Sequence, residues 1–316
     1  MTVAPAIPPA TSPPLSGPAR ELASRLSGAS RVLSGEPLAP RTTLRVGGAA
    51  DLLVEAGSEA DLGETLCFCT EAGLPWRVLG RGSNVLVRDG GVRGVVILLG
   101  RPAFCRIEVE GRRLRCGAGA RLPAVAGEAR RRGLAGLEFL EGIPGTVGGA
   151  LRMNAGAHGS WMFQCVEQVR VCETDGSFRD LPAADLAAAY RGCAFLAGRI
   201  AVSAWFVAVD GAPAAIQERM EAFAAQRRAT QPREPSAGCI FKNPGTTPAG
   251  RLVDELGLKG TACGGARVSP VHGNFIVNTG GATARDVLDL IACVQSRVAE
   301  QRGVCLETEV EIIGED

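Results

Sequence analysis

The sequence predicts an α+β protein made of three successive segments. Three observations point there. Strand and helix signals interleave from about Leu44 to Gly100, hairpin signals dominate from about Arg106 to Val209, and helical spacing returns from about Ala212 onward. At 316 residues the chain is long enough for two or three domains of ordinary size.

In the first segment Leu52–Glu55 reads as a short strand. Glu59–Ala72 reads as a helix stopped by Gly73, with Pro75 just beyond. Arg77–Gly80 reads as a buried strand running into the loop Arg81–Asn84, and Val95–Leu99 as another apolar strand. In the second segment Ile107–Gly111 and the residues up to Cys116 form a predicted hairpin. Asp175-Gly176, flanked by Val169, Val171 and Phe178, predicts a second. Between them a helix is expected over Pro123–Arg132, closed by Gly133. In the third segment Ala214–Ala229 places Ile216, Met220 and Phe223 on one helical face, and Arg251–Leu258 is a short helix. Thr283 and Asp286 resemble a capping box that opens a helix ending at Gly303. Alternation from Val304 to Ile313 predicts a strand with Glu307, Glu309 and Glu311 on one face. The division expected is a disordered Pro/Ala-rich tail over 1–20, a two-part domain over 21–209 split near 100–106, and a C-terminal domain over 210–316.

Composition narrows the function. The hydrophobic fraction is 46%, and the formal charge of +1 carries no footprint for nucleic acid. Eleven cysteines are scattered with no C-x-x-C pair, which argues against a zinc site and fits free thiols in a reducing cytoplasm. Residues 1–20 hold six prolines and no lysine, unlike a signal peptide, and no apolar run reaches membrane-spanning length.

Two glycine loops carry the first chemical signal. Gly80, Arg81, Gly82, Ser83 and Asn84 follow a predicted strand. Gly142, Ile143, Pro144, Gly145 and Gly148 belong to a second loop, followed by Asn154, Ala155 and Gly156. Glycines let backbone N–H groups approach an anion, and two distant loops can converge on one extended diphosphate. Each loop alone reads better as a plain turn. Neither has the spacing of a Rossmann or Walker fingerprint.

Taken in order, Arg41–Gly48, Leu79–Leu86, Gly142–Ala150 and Met153–Ala157 resemble the FAD-contacting motifs of the UDP-N-acetylenolpyruvoylglucosamine reductases of bacterial cell-wall synthesis. The match extends from about Arg41 to the C-terminus. Pro235–Pro244, Tyr190-Arg-Gly-Cys193 and Leu306-Glu-Thr-Glu-Val310 resemble that family's catalytic motifs. The resemblance implies a two-part flavin domain of the vanillyl-alcohol oxidase/p-cresol methylhydroxylase type, followed by a C-terminal α+β substrate domain. It implies noncovalent FAD, NADPH as co-substrate, and reduction of UDP-N-acetylglucosamine enolpyruvate to UDP-N-acetylmuramate in the cytoplasm, by a monomer.

By the same resemblance Arg191 is the cation for the substrate carboxylate, Glu309 its acidic partner, and Cys239 the proton donor where the family commonly has serine. Tyr190, Lys242 and Asn243 are expected at the substrate, and Gln231 and Arg233 are weaker candidates. A guanidinium fork suits a carboxylate, and a thiol is intrinsically more acidic than an alcohol. From the residues alone, Arg191 reads as a surface arginine, Glu309 as part of a solvated charge run, and Cys239 as a small buried hydrophobe. His272 tempts as an acid or base but reads better as the cap of a turn. The family often has tyrosine where His158 stands, and its longer members carry a tyrosine loop absent here. Two rivals remain: an O₂-using oxidase whose flavin is tethered through His158 or Cys116, and a flavin-binding regulator without turnover, favoured by the Ser-to-Cys change.

Overall fold

The computed structural model describes residues 15, 17–245 and 247–316. Residues 1–14 and 16 of the expected tail lie outside them. Residues 18–20, expected in the tail, open helix α1 (Pro18–Arg25), which buries Ala19 and Leu22.

The first unit contains β1 (Arg31–Pro37), β2 (Ala49–Glu55), α2 (Glu59–Glu71), β3 (Trp76–Val78), β4 (Val85–Val87) and β5 (Val92–Leu98). Its sheet has the order β1-β2-β5-β3, antiparallel at β1 and parallel elsewhere. Helix α2 begins where Ser58 Oγ accepts the Asp61 N–H at 3.1 Å and stops before Gly73, whose φ of 63° suits glycine. Leu62, Leu66 and Leu22 pack on Val54 and Ile97, the helix-on-sheet layering this pattern predicts. The strand expected over Arg77–Gly80 is corrected: β3 covers Trp76–Val78, and Val78 is 40% exposed. That apolar run faces a cleft rather than a core.

The second unit is a five-stranded antiparallel sheet. Its order is Phe178–Pro182, Val166–Cys172, Ile200–Val207, β7 (Arg113–Gly117) and β6 (Ile107–Glu110), so both predicted hairpins form. Helices α3 (Leu122–Arg131), α4 (Val147–Arg152) and α5 (Pro213–Thr230) share its core. The boundary at residue 210 is therefore corrected. Ile216 and Met220 of α5 are buried among residues of this second unit, and Arg219 pairs with the buried Glu138 at 3.0 Å. An amphipathic helix belongs to whichever core takes its apolar stripe, and spacing alone does not say which.

The third unit is an antiparallel sheet in the order Ser236–Cys239, Phe275–Asn278, Ala266–Val268, Ala262–Cys263. It packs with α6 (Ala249–Glu255) and α7 (Ala284–Arg302). Thr283 and Asp286 form the predicted capping box, at 3.1 Å and 3.0 Å, and Gly303 ends α7 at φ 64°. Leu44, Val46 and Leu86 of the first unit are buried in this core, which ties the units together.

The strand expected over 304–313 shrinks to Glu311–Ile313, which pairs in parallel with β4. The residues before it run along a loop instead of a sheet. Lys242 N–H donates to Glu307 O at 2.9 Å, and Glu309 N–H donates to Ile240 O at 2.7 Å. The alternation is real, but a loop satisfies its backbone.

Candidate active site

A cleft of about 1150 Å³ opens where the three units meet, larger than most small-molecule pockets. Gly80, Arg81, Gly82, Ser83 and Asn84 line one wall, and Gly142, Ile143, Pro144, Gly145, Gly148, Ala155 and Gly156 line another. The N–H groups of Gly80, Arg81, Gly82 and Ser83 meet no acceptor among the described residues. The close approach of the two loops requires glycine: a Cβ on Gly80 would stand 2.9 Å from Thr146 Oγ1. Gly82, at φ 59°, would press a Cβ to 2.7 Å from Thr42 Cα. Arg81, Arg121 and Arg152 also line the cleft and have no acidic partner within ion-pair distance among the described residues. Free N–H groups, side-chain-free loops and unpaired guanidiniums fit an extended diphosphate ligand such as FAD.

Arg191, Cys239 and Glu309 come together in this cleft, beside the Gly80–Asn84 loop. Arg191 sits at the tip of a short hairpin, Ala188–Ala189 paired with Gly192–Cys193, in a left-handed conformation at φ 56°. Its Nε lies 2.8 Å from Glu309 Oε1, although the N–H does not point along that line. Burial raises the Glu309 carboxyl above the usual carboxylate range, opposed by the Arg191 charge. Cys239 ends the strand Ser236–Cys239. Burial pushes its thiol up to about 11, with Glu309 adding to the rise and Arg191 and the Asn274 amide opposing it.

The three glutamates expected on one face diverge. Glu309 is 12% exposed, whereas Glu307, 75% exposed, pairs with Lys242 at 3.0 Å, and Glu311 stands 3.6 Å from Arg77. Burial thus selects the middle carboxylate.

Several sequence candidates lie outside the cleft. Lys242 is held by Glu307, and Asn243 Oδ1 accepts the Ala249 N–H at 3.0 Å, starting α6. Tyr190 is 66% exposed, with the Arg191 guanidinium 5.4 Å from its ring centre. Asn154 is buried: its Nδ2 donates to Ala189 O at 3.0 Å and its Oδ1 accepts the Phe163 N–H at 3.2 Å. Gln231 lines the cleft and Arg233 does not. His158 stacks on Phe223 of α5 at 3.8 Å, and Cys116 is fully buried with its thiol pushed up to about 12. Neither is among the cleft-lining residues. His272 Nδ1 accepts the Asn274 N–H at 3.1 Å, the turn cap expected of it.

Among the described residues, no three His, Cys, Asp or Glu side chains gather as metal ligands. No helix there is long and apolar enough to cross a membrane. Sequence reasoning passed over Asn274, 3% exposed, because a lone asparagine after a glycine resembles any turn residue.

Comparison with known proteins gives two family matches. Residues 231–313 match the C-terminal domain of UDP-N-acetylenolpyruvoylglucosamine reductase, and residues 50–181 match an FAD binding domain. The start at 231 agrees with α5 belonging to the second unit. The chain is 46% identical over 283 residues to a UDP-N-acetylenolpyruvoylglucosamine reductase of Heliobacterium modesticaldum, covering 89% of this chain and 90% of that protein. It is 45% identical over 298 residues to UDP-N-acetylenolpyruvoylglucosamine reductase 2 of Symbiobacterium thermophilum, covering 94% and 96%. Among solved structures, it resembles the Thermus caldophilus UDP-N-acetylenolpyruvylglucosamine reductase with a TM-score of 0.78 at 40% identity, covering 90% of this chain and 99% of that one.

Proposed function

The chain belongs to the UDP-N-acetylenolpyruvoylglucosamine reductase family, and from that premise we propose that it reduces UDP-N-acetylglucosamine enolpyruvate to UDP-N-acetylmuramate, using FAD and NADPH, for peptidoglycan synthesis. The observation that supports this most directly is the meeting of Arg191, Cys239 and Glu309 in one cleft with both glycine loops. When bound, FAD supplies two-electron chemistry, taking a hydride from NADPH and giving one to the vinyl CH₂ of the substrate. The N–H groups of Gly80–Ser83 and the unpaired guanidiniums of Arg81, Arg121 and Arg152 would hold its diphosphate noncovalently.

The chain's own residues handle the charge that appears on the substrate. Adding a hydride to the CH₂ leaves an electron pair on the carbon beside the carboxylate, delocalised as an enolate. The Arg191 fork binds that carboxylate, and its charge offsets the developing negative charge. Glu309 holds Arg191 in its left-handed turn and keeps the guanidinium facing the cleft. Cys239 then transfers its thiol proton to the carbon, forming a C–H bond and leaving a thiolate to be reprotonated by solvent. Burial keeps the thiol protonated at neutral pH, as a donor requires. Lys242 and Asn243 stand outside the cleft lining, so diphosphate and sugar recognition draws on other residues that line it. The protein is proposed to act as a cytoplasmic monomer.

The test is anaerobic. NADPH should bleach the flavin absorbance, and UDP-N-acetylglucosamine enolpyruvate should restore it with UDP-N-acetylmuramate formed. Flavin that stays reduced until oxygen enters would reject the assignment.

A further inference from the structure

Three buried or half-buried asparagines each hold the backbone next to one of the three residues above. Asn274 makes a reciprocal pair with Phe241: Oδ1 accepts the Phe241 N–H and Nδ2 donates to the Phe241 carbonyl, both at 2.8 Å. Its own carbonyl accepts the Ile240 N–H at 2.8 Å, so the two residues after Cys239 are pinned to it. Asn154 donates to Ala189 O at 3.0 Å, two residues before Arg191, on the hairpin that presents the guanidinium. Asn84 donates to Glu309 O at 3.0 Å and accepts the Glu311 N–H on its own carbonyl at 2.9 Å. The Glu309 N–H in turn donates to Ile240 O, which links the loop after Cys239 to Glu309.

These bonds occupy the amides. Both ends of the Asn154 side chain bond protein backbone, and the residue is 9% exposed. Asn274 is 3% exposed; each end of its amide bonds Phe241, and the same amide also acts on the Cys239 thiol. The anchored chain positions lie 33, 35 and 225 residues from the amides that hold them, so no local turn rule explains the contacts. A primary amide suits this task because it donates and accepts at once and never changes charge.

We propose that Asn274, Asn154 and Asn84 are positioning residues for Cys239, Arg191 and Glu309 respectively, an amide frame that sets the geometry of proton delivery. The inference rests on the reductase reading of this cleft. Misplacing a reacting group by about 1 Å can cost on the order of 100-fold in rate. The frame should therefore govern the step in which substrate is reduced, and leave flavin reduction by NADPH alone.

The experiment measures both half-reactions of the full-length, FAD-loaded protein by anaerobic stopped flow, in Asn274→Ala, Asn154→Ala, Asn84→Ala and the isosteric Asn→Asp variants. Flavin reduction is expected to stay within roughly threefold of wild type in the variants of Asn274, which does not line the cleft, while reoxidation by the enolpyruvate falls roughly 10–100-fold in all three sets. Matched double variants decide the assignment. Asn274→Ala should cost little more in a Cys239→Ala background, Asn154→Ala in Arg191→Ala, and Asn84→Ala in Glu309→Ala, whereas mismatched pairs should be closer to additive. A readout without substrate completes it: alkylation of Cys239, followed by peptide mass, should quicken in Asn274→Ala and not in Asn154→Ala. Equal losses in both half-reactions, additivity within the matched pairs, or loss of FAD from the Asp variants as well as the Ala variants would overturn the frame. If wild type fails to reoxidise with enolpyruvate, the reductase reading falls and takes the catalytic role with it, while the alkylation result still reports whether Asn274 holds Cys239.

Discussion

Arg191 Nε lies 2.8 Å from Glu309 Oε1 without aiming its N–H at that oxygen. The pair is close enough for charge attraction, and the buried Nε is left without a directed hydrogen bond. Of the three glutamates, only Glu309 pairs with Arg191; Glu307 pairs with Lys242 and Glu311 with Arg77.

Glu309→Gln keeps the shape and removes the charge. Substrate reduction should fall by about 10²–10³, the size of losing one preorganised electrostatic contact at developing charge. Flavin reduction by NADPH should change little. Arg191→Lys should cost about 10² because a point charge replaces the fork. Single-turnover traces of each half-reaction check both, and equal loss in the two halves would remove this pair from the substrate step.

Cys239→Ala removes the proton donor. Reoxidation by substrate should slow by about 10²–10⁴, with flavin reduction largely intact. Cys239→Ser restores an O–H donor and should recover activity to within roughly tenfold of wild type. A serine variant as slow as the alanine one would show that the thiol does something an alcohol cannot.

The thiol also sets a pH limit. A donor must be protonated, so substrate reduction should fall as pH rises through about 11, and Cys239→Ser should lack that limb. Stopped-flow pH jumps separate this from unfolding. Stability has the same sign. Cys116, Cys165 and Cys172 are pushed up to about 12 by burial, so the folded state binds more protons than the unfolded one above the ordinary thiol value. Their contribution is complete below pH 9.0 and is lost as pH rises towards about 12. Thermal melts across that range should fall, and less steeply in Cys116→Ala.

Gly82→Ala tests the cofactor loop. An alanine at φ 59° carries a left-handed penalty of about 1 kcal/mol and would also press on Thr42. FAD affinity should weaken at least roughly fivefold, read as a lower 450 nm to 280 nm absorbance ratio after gel filtration.

Much of this was legible in the sequence. The α2 and α7 boundaries follow from Ser58, Gly73, Thr283 and Gly303, whose preferences are local. The hairpins follow from alternation and Asp175-Gly176. What failed was long-range. Nothing near Ile216 says which core it enters. Val78 looks like a core residue because a ligand wall and a core ask for the same apolar side chains. Residues 304–310 alternate like a strand yet lie along the 240–242 loop. Lys242 pairs with Glu307 and Asn243 accepts the Ala249 N–H, partners that sequence spacing cannot reveal. The Asn274 contacts are not legible either, because its partner Phe241 lies 33 residues away.

The pairing of Glu311–Ile313 with β4 has a consequence for biosynthesis. During translation the first unit emerges more than two hundred residues before the strand that completes it. A nascent chain can form its β1-β2-β5-β3 sheet early, but the wall carrying Glu309, Glu311 and Ile313 does not yet exist. Stable flavin loading is expected only after these residues have emerged. A truncated product that stops short of these residues should carry an open cleft and be recognisable to proteases by its unpaired β4 edge.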